Sequence, residues 1–139
     1  MILLDTSVLS ALMHDPPDPT VVTWLDRQNA DEIWTTSVTV FEIRFGLSRL
    51  AEGRKRAALQ AAFDGLLHED LANRIASLDR AAAEAAGEFA ARREAAGRPV
   101  DMRDTLIAGI ALNGRARIAS GNIRHYDDLE TSVIDPWVD

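Results

Sequence analysis

The chain has 139 residues, the size of one compact domain, and no cysteine, which excludes disulfide scaffolds and thiolate zinc sites. Its 15 Lys and Arg against 22 Asp and Glu give a net charge of -7, the wrong sign for binding a phosphate backbone through surface charge alone. Nucleic acid stays in play only if some of the acids serve a divalent cation that reverses the local sign.

Lys55 is the only lysine, so the basic residues are almost all arginine forks suited to bidentate phosphate or carboxylate contacts. No apolar run approaches the roughly 18–20 residues of a membrane span, and MILLDT lacks the basic start of a signal peptide. A cytoplasmic protein is expected, with residues 1–139 forming a single domain.

In chain order, residues 2–4 are an apolar run without alternation, which predicts a strand buried on both faces and ending at Asp5. Residues 15–19 are a turn, and Asp18-Pro19 opens a helix through Leu25. Residues 32–36 read as a strand. Ser37 is a plausible cap for a helix through Val38, Phe41, Phe45 and Leu50. Gly53 breaks it, and another helix covers about 54–67. Residues 74–78 are a third strand, followed by Asp79 and a long alanine-rich helix to about 96. A helix over about 101–112 is closed by Asn113-Gly114. A strand over 115–119, the turn SGNIRHYDD and a last short strand at Val133-Ile134 complete the chain. Strands alternating with helices predict an α/β fold of three layers, α/β/α, around a mostly parallel sheet of four to five short strands. Ligands in such sheets sit at the carboxyl ends of the strands.

Four residues draw attention as chemistry. Asp5 follows the first strand directly and reads equally as a helix cap. Glu42 shares a helical face with Val38, Phe41 and Phe45, where a charge is rarely buried without a partner or a metal; Gly46 lies one turn on. The alternative is a boundary carboxylate paired with Arg44 or Arg49. Asp104 lies on a small-residue stripe with Ala108 and Ala111, whereas Asp101 reads as the cap of that helix. Asn122 follows the fourth strand and reads either as an oxygen donor or as a turn residue beside Gly121. Asp79 is a cap, Asp127 and Asp128 are solvated loop acids, and His125, close to Asn122, reads either as a substrate contact or as an exposed loop histidine. No histidine pair has zinc spacing and no serine sits in a nucleophile motif. An all-oxygen set selects Mg²⁺ or Mn²⁺.

The segments ILLDTSVL, TTSVTVFEIRFGL, GRPVDMRDTLIAGIAL, IASGNIRHYDDL and VIDPW together resemble PIN-domain proteins, specifically VapC-type toxins of the FitB-like branch. The resemblance spans essentially the whole chain. It implies a Mg²⁺- or Mn²⁺-dependent endoribonuclease, dimeric, acting on tRNA or ribosomal RNA and held inactive by an antitoxin. Asp5, Glu42 and Asp104 match the family's acids, and Thr6 or Ser7 would orient Asp5. Asn122 stands where the family has Asp or Asn. Metal-activated water would then hydrolyse the phosphodiester, with Arg44, Arg49, Arg103 and Arg124 as candidate phosphate contacts. A catalytically weak module that binds RNA or a partner is the alternative. A receiver domain, which needs paired acids early and a lysine after a late strand, is discounted.

Overall fold

The computed structural model describes residues Met1–Asp139. Five strands form one sheet, β1 (Ile2–Leu4), β2 (Ile33–Thr36), β3 (Ile75–Ala76), β4 (Arg117–Ala119) and β5 (Val133–Ile134), every neighbouring pair parallel. Their order is β3-β2-β1-β4-β5. The chain works outward from β1 on one side, then returns to add β4 on the other. The β1/β4 boundary is therefore the switch point, where strand ends diverge and leave a crevice.

The layers follow from the pleat. Ile2 and Leu4 face one core with α1 (Thr6–Met13), α2 (Pro19–Asp26), α3 (Ser37–Ser48) and α4 (Arg54–Gly65). Leu3 points to the other, with α5 (Arg80–Ala95) and α6 (Met102–Gly114). Successive side chains of a strand face opposite ways, so a continuous apolar run is what a central, doubly covered strand requires. The small-residue stripe on α6 does bring it close, with Ala108 and Ala111 fully buried. Gly109 matters most against α5: a Cβ there would stand 2.5 Å from that of Ala86.

Several boundaries differ from expectation. The helix α1 begins directly at Thr6, capped by Asp5, whose Oδ1 accepts from the Val8 amide at 3.2 Å. Thr36, and not Ser37, caps α3 by accepting from the Thr39 amide at 3.0 Å. The Ser37 hydroxyl instead accepts from the Leu78 amide and ties β2 to the segment after β3. The end of α4 widens into a π turn over Leu66–Asp70. The helix α6 runs through Gly114, and Arg115 (φ 51°) takes the left-handed position that ends it. No helix is long and apolar enough to cross a membrane.

Candidate acidic centre at the switch point

Asp5 lies where β1 ends and α1 begins, and its amide donates to Ala119 at 3.1 Å, carrying the β1–β4 pairing one residue further. Its side chain is 6% exposed. The cap reading and the site reading are both met by one residue. Ser7 donates its hydroxyl to Oδ1 at 2.6 Å, and the Ser7 Oγ in turn accepts from the Gly121 amide at 3.0 Å across the crevice. Ser120, wholly buried just past the end of β4, lies beside the Asp5 carboxylate and favours its charged form. Burial raises the Asp5 carboxyl above the ordinary range, and the bonds from Ser120, Ser7 and Val8 only partly offset it.

Glu42 sits at a boundary and not on a buried apolar stripe. The helix α3 buries Val38, Thr39, Ile43 and Leu47, while Phe41 and Phe45 are 63% and 50% exposed and stack on each other outside. A Cβ at Gly46 would meet no neighbouring atom within 4 Å, so the glycine is not needed to make room for the acid. The Glu42 side chain, 13% exposed, has Arg103 of α6 at 3.7 Å, and neither Arg44 nor Arg49. Burial raises its carboxyl; Arg103 and the Thr6 hydroxyl oppose this, and the negative charges of Asp104 and Asp5 add to it. Arg44 pairs with Asp64, and Arg49 lies over the Phe45 ring.

Asp104 projects from the first turn of α6, with Asp101 capping that helix at 3.1 Å from the Asp104 amide. Burial, then the charge of Asp101, raises its carboxyl; His125 and Tyr126 pull the other way. His125 Nδ1 lies 2.9 Å from Oδ2, and the buried Tyr126 hydroxyl donates to Oδ1 at 3.3 Å. The phenol is pushed far above its ordinary value by burial and by the charges of Asp104, Asp5 and Glu42. Asp5, Glu42 and Asp104 thus share one electrostatic neighbourhood.

Asn122 is exposed at the crevice rim, and its amide side chain caps nothing. Its backbone accepts from the His125 amide and donates to Ser120. Sequence reasoning missed Ser120 and Tyr126 and undervalued His125. The Ser-Gly-Asn turn held the only signal for Ser120. Asp127 is a solvated acid, 58% exposed although paired with Arg98, whereas Asp128 is not: Arg93 chelates it and Arg98 adds a second contact.

The donors are all oxygens, and Thr6 Oγ1 is buried among them without a well-formed hydrogen bond. That chemistry fits a hard divalent cation. As they stand, no three acidic or imidazole side chains close into a ligand cage.

A parallel α/β sheet with mutually repelling carboxylates at its switch point defines a class of acidic-centre α/β proteins. The PIN domain model matches residues 2–128, and the chain belongs to the PIN-domain family, among its VapC- and FitB-like members. It is 32% identical over 99% of both chains to the plasmid stability protein StbB of Pseudomonas syringae pv. tomato. It is 29% identical to the VapC ribonuclease Y4jK of Sinorhizobium fredii, over 99% of this chain and 98% of that one. The crystal structure of FitAcB from Neisseria gonorrhoeae superposes with a TM-score of 0.88, at 27% identity over all of both chains. Structures of the same fold include a toxin–antitoxin complex.

Proposed function

We propose that this chain is an RNA endonuclease, the toxin of a toxin–antitoxin pair, in which Asp5, Glu42 and Asp104 hold Mg²⁺ or Mn²⁺ and Asn122 assists from the rim. The observation that carries this is the gathering of three largely buried carboxylates, Asp5, Glu42 and Asp104, around one crevice, where burial raises each of them and like charges add to the rise of Glu42 and Asp104. Such a cluster is uncomfortable alone and is relieved by a cation. Its place at the switch point and the family's ribonuclease member support the same reading.

A bound divalent cation supplies an acidified water and neutralises phosphate charge. The chain's own part is orientation. Ser7 and Ser120 favour the charged form of Asp5 against burial and tie it to both sides of the crevice. Tyr126 and His125 fix Asp104, and Arg103 tempers the charge of Glu42. A phosphodiester approaching this mouth meets carboxylates unless they are metal-loaded, so cleavage should be strictly metal-dependent.

The proposed protein partners are an antitoxin and a second copy of the chain. The exposed Phe41–Phe45 stack on α3 and exposed Met102 on α6 support a protein contact. Light scattering tests the dimer, and co-purification with the product of an adjacent reading frame tests the antitoxin.

Cleavage of total cellular RNA, with and without Mg²⁺ and beside Asp5→Asn, tests the activity. Metal-dependent cleavage lost in the variant is expected; cleavage in chelator, or an active variant, refutes the assignment. RNA binding without cleavage would favour the second reading, a module that acts by occupancy. The exposed amide of Asn122, in place of a fourth acid, is the feature on its side.

A further inference from the structure

Asp104 is held by a turn, and that turn is itself held from another helix. Arg93, in the last turn of α5, is 3% exposed. Its Nε and Nη2 meet both oxygens of Asp128 at 2.9 and 3.0 Å, and Nη2 also donates to the carbonyl of His125. The Phe89 ring covers the guanidinium at 4.4 Å. Arg98 adds contacts of 3.3 Å to Asp128 and 2.7 Å to Asp127.

Burying a guanidinium is costly, and a buried pair seldom exceeds well-packed apolar residues in net stability. What such a pair fixes is geometry. The peptide that Arg93 grips joins His125 to Tyr126, and these two side chains are the partners of the Asp104 carboxylate, one on each oxygen. The direction of that carboxylate therefore depends on where the turn sits.

We propose that Arg93 is a positioning residue for the acidic centre. By clamping residues 125–128 to α5, it aims Tyr126 and His125 at Asp104 and sets the carboxylate's orientation toward the cation. This rests on the reading of Asp104 as a metal-holding acid. Lysine keeps the charge but cannot span both Asp128 oxygens and the His125 carbonyl in one plane.

The test compares wild type, Arg93→Lys and Tyr126→Phe. Mn²⁺ affinity is measured on metal-free protein by calorimetry, amide exchange over residues 122–129 without metal, and kcat and KM on RNA with it. Partners of ligands typically contribute about 10–100-fold to metal affinity or activity. Both variants should lose about tenfold in Mn²⁺ affinity and in kcat, with KM within about twofold. Exchange in the turn should accelerate in Arg93→Lys and stay protected in Tyr126→Phe, which separates the clamp from the bond it aims. If wild type binds Mn²⁺ and cleaves while Arg93→Lys matches it in both, the inference is overturned and the functional reading stands. An Arg93→Lys protein with a lowered thermal midpoint but unchanged Mn²⁺ affinity overturns it equally, since Arg93 would then be purely structural. A wild type that neither binds Mn²⁺ nor cleaves overturns the functional reading and this inference with it.

Discussion

Two buried charge groups flank the loop after β4, and they are solved in opposite ways. In the Arg93–Asp128 group, a guanidinium meets both carboxylate oxygens, a carbonyl and an aromatic face. Although burial alone would raise the Asp128 carboxyl, the bonds and charge of Arg93 lower it overall. In the Asp5–Glu42–Asp104 group, burial dominates and every carboxyl is raised. The first group is closed within the protein. In the second, Arg103, His125, Tyr126 and the serines offset burial only in part, so the group is left open to the proposed cation.

Breaking the open group should cost function. Asp5→Asn should lower metal-dependent RNA cleavage by at least about a hundredfold, the upper range for partners of a metal ligand, read from initial rates at saturating Mg²⁺. The protein should remain folded, because asparagine still caps α1.

Breaking the closed group should cost stability instead. Asp128→Ala strands a buried guanidinium, and breaking one side of such a pair costs about 3–5 kcal/mol. Urea unfolding of the metal-free protein measures it. A loss below about 1 kcal/mol would mean that water reaches Arg93 and that the two groups differ less than their geometry says.

Asp104→Asn should move stability the other way. It removes one repelling charge from the open group, so metal-free stability should rise by the order of 1 kcal/mol, the common scale of stabilising substitutions, even as cleavage falls. The same logic fixes a pH dependence. Asp5, Glu42 and Asp104 have folded values above their unfolded ones, so they favour the fold while protonated. That contribution is complete below the unfolded values and is lost as pH rises through the folded ones. Asp128 runs oppositely: its contribution is present above the ordinary carboxylate range and is lost as pH falls through its lowered value. The thermal midpoint of metal-free protein should therefore fall as pH rises above the carboxylate range, and excess Mg²⁺ should flatten that decline. The smallest effect belongs to the exposed Arg80–Glu84 pair, where Arg80→Ala should change stability by less than about 0.5 kcal/mol.

The layered α/β order, the parallel sheet and the acids at strand ends were legible in the sequence because each rests on local rules. A continuous apolar run at residues 2–4, Asp before a helix and Pro at a helix start are readable without knowing what lies across the molecule. Helix faces were less legible. Phe41 and Phe45 have the spacing of a core stripe, yet Ile43 and Leu47 took the core and left the phenylalanines outside. Periodicity says that residues share a face, not which face the neighbouring layer covers.

The sequence by itself determined Asp5 as the end of the central strand and supplied an all-oxygen donor set with neither cysteine nor a zinc-spaced histidine pair. Only the tertiary structure decided who attends those acids. Ser120 reaches Asp5 because β4 lies beside β1, and Tyr126 and His125 reach Asp104 because Arg93, more than thirty positions earlier, grips their shared peptide. Hydrogen bonds and charge pairs depend on distance in space. A chain written in one dimension records that distance only for near neighbours.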